Sequence, residues 1–389
     1  MFVFDILIYL AFAMIMAYFA KGSVYLYADS KRWDKYLILY ILFFSFIAAI
    51  RWNTGSDAIS YARMFDAGQF PDDTGEFVWL FFVKLIHELG IHWTVAFGIL
   101  AFVQIYFIVK PLKEYKFILI ALPFVLFGGR YWDDLMGAVR QMVIGAMFVW
   151  ASLYIYKRKL ILYFLFVIGA STIHRSALIL LPFYFMPTNY RIMDKRYLLI
   201  FILIACCLIG QTPAYQGAIG YIQLLTNFVG LDTYTGTVST LLMQKESAEA
   251  LAFGPMMLTY LLIPIFIVWY GPELEERYAK KIPYFNLWYN FAYFYSCGYF
   301  LVCNISHLFI RPMLYFILFQ MILSSLLLYD FFYADKKIRK NPLIIILFCL
   351  VISLGTVWNI HKLAGKRFDS VTYKTFFFHT DDMARFGIK

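Results

Sequence analysis

Arg51 ends one apolar run, Arg140 opens another, Arg175 lies between two, and Arg311 immediately precedes Pro312 at a helix start, with Arg63 and Arg130 in the polar stretches between. A guanidinium keeps its charge when partly desolvated and presents a planar fork of donors, so this set reads as a seat for phosphate or carboxylate. The competing reading lets each arginine snorkel to lipid phosphates or pair with Asp57, Asp133 or Asp134. Two groups among them can take a proton from a hydroxyl, Asp57 and His174. Asp57 is equally a salt-bridge partner for Arg51 or Arg63, and His174 equally a hydrogen-bonded core histidine, so the choice of base stays open. Tyr61 and Gln141 stand where they can position sugar or phosphate, and Trp52, Tyr131 and Trp132, beside the arginines, are candidate sugar platforms. Asp133 and Asp134 can hold a divalent cation or form the N-cap region of a helix beginning at residue 139, and we read them as the cap.

The elements that must hold these residues are hydrophobic helices. Of 389 residues 62% are hydrophobic and only 15% charged, against about 25% charged in a water-soluble domain. Apolar runs cover residues 2–20, 36–50, 91–109, 117–128, 139–156, 160–173, 176–187, 197–211, 255–270, 284–304, 312–330 and 342–357. In hydrocarbon only segments that satisfy their own backbone hydrogen bonds can span, so the expectation is all-α: a polytopic integral membrane protein of about 12 transmembrane helices. We expect one membrane domain over residues 1–357, with polar loops 51–90 and 212–254, the second a partly ordered lid, and a tail from 358 to 389. The two runs flanking His174 are each short enough to form one broken or re-entrant element. Within the first loop, Phe77 to Leu89 is apolar but carries Lys84, His87 and Glu88, which suits a helix lying in the interface.

Charge sets the sidedness. Loops near residues 21–35, 110–116, 157–159, 191–196, 277–281 and 336–340 alternate with the others and hold fourteen lysines and six arginines, while the opposite loops before the tail hold six arginines and two lysines. The lysine-rich loops are therefore cytoplasmic and the six arginines external. The first run carries Asp5 and is followed by Lys21, the reverse of a secretory signal, and reads as a retained helix. A tail holding Lys362, Lys366, Arg367 and Lys374 on the external side fits this rule poorly. The net charge of +10 is scattered in short loops facing anionic lipid, so no nucleic acid partner is expected. All five cysteines lie in apolar runs, without disulfide or zinc spacing.

Three short patches point to a family. The first is Arg51-Trp52-Asn53-Thr54-Gly55-Ser56-Asp57-Ala58-Ile59-Ser60-Tyr61-Ala62-Arg63, where Gly55 permits a tight turn that brings Asp57 back toward Arg51. Gly137-Ala138-Val139-Arg140-Gln141 opens the fifth run, and His174-Arg175-Ser176-Ala177-Leu178 leads an apolar stretch ending in Pro182 and Tyr184. Together they resemble the EpsG family of bacterial exopolysaccharide proteins, relatives of the Wzy-type polymerases. The resemblance implies a GT-C-like glycosyltransferase bundle in the bacterial inner membrane, with its active site on the external face. It implies transfer of a glycan from polyprenyl (undecaprenyl) diphosphate to a lipid-linked repeat unit, without metal or cofactor, and a chain-length regulator as a partner. The six arginines would then bind diphosphate, Asp57 or His174 would act as base, and Tyr61, Gln141, Trp52 and Trp132 would position substrate. No Walker A loop, zinc-helix motif or dinucleotide fingerprint appears, so the energy must reside in the substrate. The rival readings are a flippase for lipid-linked oligosaccharide, a membrane O-acyltransferase and a structural subunit. A flippase needs charges in mid-membrane, where these apolar runs carry almost none.

Overall fold

An unpaired backbone N–H or C=O in hydrocarbon costs several kcal/mol, so apolar runs of this chain close their own hydrogen bonds as helices. A computed structural model of the protein describes residues 2–27, 32–70, 75–192, 194–212, 255–304, 310–333, 341–363 and 373–378. Among these the chain is helical, with one isolated β-bridge between Arg51 and Thr375. In chain order the α-helices are α1 Phe2–Leu26, α2 Lys35–Ala49, α3 Ala58–Ala67, α4 Phe77–Glu88, α5 Trp93–Leu112, α6 Ile118–Gly128 and α7 Tyr131–Gly137. They continue as α8 Val139–Tyr156, α9 Leu160–Ser171, α10 Arg196–Gly210, α11 Pro255–Tyr278, α12 Phe285–Val302, α13 Leu314–Tyr333 and α14 Pro342–Leu363. Stretches of 3-10 helix cover Arg175–Phe185, Arg311–Met313 and Phe376–Phe378.

Among the described residues five helical segments are long and apolar enough to cross a membrane: Ile6–Leu26, Trp93–Leu112, Val139–Tyr156, Met257–Tyr278 and Arg311–Tyr333. Six more are apolar but shorter, among them α2, α6, α9 and α10. The protein is thus a helical membrane protein. α13 is its central post, buried on all sides from Leu314 to Leu328 and again at Asp330 and Phe331, and a helix that is apolar all round belongs in a core. α8 and α6 pack against it, α5 against α8, and α2 and α1 close the layer.

Several boundaries differ from expectation for physical reasons. The run expected at 255–270 continues to Tyr278, because Arg191 Nε donates to the Glu275 carboxylate at 2.7 Å and Arg277 meets buried Asp330 at 2.8 Å. Ionised groups therefore extend α11 beyond its apolar part. The run expected at 176–187 is 3-10 rather than α-helical over Arg175–Phe185 and packs along α9, so the two form a hairpin with His174 at its apex. Asp133 and Asp134 lie inside α7, and they do not cap α8, whose N-cap is Ala138. The lid expected at 212–254 lies outside the described residues from 213 onward, as does most of the tail.

One end of the bundle carries a second, smaller core. Trp52, Tyr61, Phe65, Trp79, Val83 and Ile86 pack over Trp93 and Phe97 of α5 and Val139 and Val143 of α8. α3 and α4 thus form a cap on the ends of α5 and α8. Gly55 makes this cap possible: its φ is +95°, and a Cβ there would stand 2.4 Å from the Met136 backbone. Only glycine allows that approach. The described part of the tail is tied to the same end, since the Trp52 N–H donates to Lys374 O (2.7 Å), the Phe376 N–H to Ile50 O (3.1 Å), and the Tyr373 hydroxyl to Ile47 O (2.7 Å). At the opposite end buried Lys116 joins Asp34 at 2.9 Å, and Asp34 also caps α2.

Candidate active site

The cap and the hairpin apex meet around one carboxylate. Glu76, 5% exposed, is the residue before α4 and follows Gly75, whose φ is +71°. One of its oxygens accepts from His174 Nδ1 at 2.5 Å and from the Arg175 backbone N–H at 2.9 Å; the other is paired with Arg140. Burial alone would raise the Glu76 carboxyl, but the bonds from His174 and the Arg175 amide, with the charge of Arg140, outweigh it and hold the group below the usual carboxylate range.

The flanking residues follow from helix geometry. Arg140 and Gln141 are consecutive in the first turn of α8, so they point about 100° apart. Arg140 reaches Glu76 and donates from Nε to the Tyr61 hydroxyl at 3.3 Å, with its guanidinium over Phe70 and Trp79. Gln141 reaches the other nitrogen of the imidazole, with Nε2 2.6 Å from His174 Nε2. With Nδ1–H donating to Glu76, the Gln141 amide N–H can donate to Nε2, a pattern that places the ring's lone pair toward Gln141. Behind it the hydroxyls of Ser176 and Tyr315 share a hydrogen bond of 2.6 Å, tying the hairpin to the head of α13.

Of the expected site residues, the structure brings together His174, Arg140, Gln141 and Tyr61, with Arg175 beside them through its backbone. The Arg175 side chain is exposed and meets no carboxylate among the described residues. Asp57 pairs with Arg311 at 3.4 Å, both partly exposed, so Gly55 turns the chain away from Arg51 rather than back to it. Arg130 grips Asp134 through two bonds of 2.6 and 2.9 Å and lies between the rings of Tyr260 and Tyr299. Neighbouring Asp133 has a buried oxygen without a partner, and burial, with Asp134 adding to it, pushes its carboxyl up to about 7. Arg63 is exposed on α3.

Three of the expected residues are enclosed by packing. Arg51 is 2% exposed and donates to Ala48 O at 2.5 Å and Thr54 O at 3.2 Å, with its guanidinium 4.2 Å from the centre of the Phe97 ring. Its donors close the end of α2, so it is not open to a diphosphate. Trp52 and Trp132 are each 3% exposed, the first against Trp93 and the second against Phe44 and Phe127, so neither offers a sugar a ring face. Glu76 and Tyr315 were not anticipated. The signal for Glu76 was an acidic residue directly before an amphipathic helix on the arginine-rich side.

Among the described residues no cluster of three or more His, Cys, Asp and Glu side chains has the makings of a metal site. A cavity of about 650 Å³ opens elsewhere, between α1, α6, α13 and α14, among Leu10, Phe124 and Phe332. It is apolar, and the proton-transferring groups are not in it. The EpsG family model matches residues 34–375, a span that takes in every residue of the Glu76 cluster. The chain belongs to the EpsG family. These are Wzy-like polysaccharide polymerases. No curated protein and no solved structure matches the chain. In this EpsG-family protein the clustered groups are a carboxylate, an imidazole and a guanidinium, a set able to orient a base and to meet negative charge.

Proposed function

We propose that the protein is a polysaccharide polymerase that transfers a glycan from polyprenyl (undecaprenyl) diphosphate to a lipid-linked oligosaccharide repeat unit at the external face of the bacterial inner membrane. The observation that carries this reading is Glu76 holding His174, Arg140 and the Arg175 amide together at the bundle mouth. The acceptor hydroxyl displaces Gln141 from His174 Nε2 and gives its proton to that nitrogen. Its oxygen forms the new bond to the anomeric carbon, while the bond from that carbon to the diphosphate oxygen breaks. Glu76 holds Nδ1–H, fixes the imidazole tautomer and stabilises the imidazolium as it forms. Between the two candidate bases this favours His174, because Asp57 is engaged by Arg311.

Polyprenyl diphosphate leaves with the electron pair, and its growing charge is met by guanidinium groups without a metal. Arg175 and Arg311, with exposed or half-exposed side chains, are the best placed to bind it, and Arg63 lies on the same cap. Arg140 and Tyr61 shape the pocket wall. In this reading the shorter apolar helices also cross the membrane, giving about 12 transmembrane segments in a GT-C-like bundle, and a chain-length regulator would act from outside.

The test is the purified protein in detergent with a lipid-linked repeat unit, resolved as a ladder of glycan lengths. Wild type should extend the ladder, while His174→Ala, which removes the base, and Arg140→Ala, which removes a partner that holds Glu76 against it, should each reduce extension by about a hundredfold or more, the usual yield of an oriented base. Arg140→Lys should rescue poorly, since a single ammonium cannot reach both Glu76 and Tyr61. A single added acyl group, or transport without covalent change, would replace this reading by another.

A further inference from the structure

α4 presents two unlike faces. Trp79, Val83 and Ile86 are buried against the cap, while Phe77, Val78, Phe81, Leu85 and Leu89 are exposed, four of them 41% to 65%. The positions 77, 81 and 85 form one stripe at helical spacing. Polarity along the exposed side is graded: residues 77–83 carry only apolar groups, and Lys84, His87 and Glu88 follow.

This face continues another exposed apolar one. The N–H groups of Val78 and Trp79 donate to Thr172 O, at 3.1 and 3.5 Å, where α9 ends. α9 itself exposes Ile161, Leu165 and Ile168 in a stripe that leads up to that junction. A face of unbroken aliphatic groups on a membrane helix has acyl chains as its solvent.

We infer that α4 lies obliquely in the leaflet at the site's end of the bundle, its apolar stripe on acyl chains, its N-terminal end dipping deeper than its C-terminal end. The occupant of this surface is bilayer lipid. Lys84, His87 and Glu88 then stand at the headgroup level, and Glu76, one residue before Phe77, is set at the inner edge of that layer. α4 thereby fixes the depth of the Glu76 cluster and leaves it open sideways to molecules anchored in the leaflet. The inference needs only that the chain spans a membrane, and it stands or falls apart from the glycosyl-transfer reading.

The experiment places the photoreactive residue p-benzoylphenylalanine singly at Phe81, at Glu88, and at Leu165 as a lipid-facing reference, in the full chain in nanodiscs of phosphatidylethanolamine and phosphatidylglycerol. Lipid adducts are counted by mass spectrometry after irradiation. Position 81 should give lipid adducts within about twofold of position 165, and position 88 about fivefold fewer, as expected for a helix at the boundary of headgroups and acyl chains. Adducts at 81 only to a second copy of the chain, or none while 165 reacts, would overturn the lipid assignment. Equal acyl-chain yields at 81 and 88 would overturn the oblique placement.

Discussion

Glu76→Gln removes the charge on which His174 Nδ1–H and Arg140 both rely, while keeping the shape of the side chain. Arg140 and His174 are 15% and 17% exposed, so loss of the anion costs less than in a sealed core, about 2–3 kcal/mol rather than the 3–5 of a fully buried pair. The melting temperature in detergent should fall by roughly 5 °C. The sign of the pH dependence follows from the direction of the shift. A carboxyl held below its ordinary value of 4.5 contributes stability that is full above that value and lost as pH falls through the lower folded one. Wild type should therefore lose melting temperature between neutral pH and pH values under 4.5, and Glu76→Gln should show a flatter profile over the same window. Matching profiles would remove Glu76 as the organising anion. Sequence made Arg140, Gln141, Tyr61 and His174 visible, because an ionisable or amide group at the edge of an apolar run is conspicuous. Glu76 was hidden among Asp72, Asp73 and other acidic residues of a polar loop, where only folding decides which carboxylate turns inward. Arg51 is ambiguous for the converse reason, since type and position mark a phosphate ligand and a helix-end plug alike until the carbonyls around it are known.

At the scale of elements, the cap on α5 and α8 depends on one backbone contact. Gly55→Ala would strain a φ of +95° and drive its Cβ to within 2.4 Å of the Met136 backbone, which no side-chain rotation can relieve. The cost is about 3 kcal/mol or more, and because Arg51, Asp57 and α7 flank the contact, the damage should spread through the cap. A melting temperature and a protease-sensitivity profile test this: Gly55→Ala should expose new cleavage between residues 51 and 90, whereas Gly169→Ala, in α9 with ordinary helical backbone and nothing within 4 Å of its added Cβ, should change the profile little. Equal behaviour of the two would place the cap's stability elsewhere. The turn at Gly55 could be read from sequence, and so could a helix close to Phe77–Leu89. α3 and the short α7 could not, because neither has an apolar run of its own and each forms only against partners distant in the chain. The 3-10 conformation of Arg175–Phe185 was equally hidden, since its composition is that of any apolar helix.

For the molecule as a whole, the alternation of lysine-rich and arginine-bearing loops foretold that distant segments would meet at one end, and they do: the starts of α5 and α8, the hairpin apex, the head of α13 and the cap share that end. The tail was the exception, with basic residues on a side the charge rule disfavours. Its described part is nonetheless fastened there, paired to Ile50 and Trp52, with Phe376 against His92 and Trp93. Backbone pairing and aromatic burial outweigh a charge bias that is worth little far from the first helices. Sidedness can then be measured with a membrane-impermeant thiol reagent on intact cells, using exposed positions Arg63, Arg175 and Phe377 on the site's end and Lys157 on the other, each changed singly to cysteine. The native cysteines lie in or at the ends of apolar helices, none of them exposed, and should stay silent. Arg63→Cys, Arg175→Cys and Phe377→Cys should react without permeabilisation and Lys157→Cys only after it. Reaction of Phe377→Cys in the same class as Lys157→Cys would detach the tail from the mouth, and reaction of Arg63→Cys and Arg175→Cys in opposite classes would dissolve the common end on which the site depends.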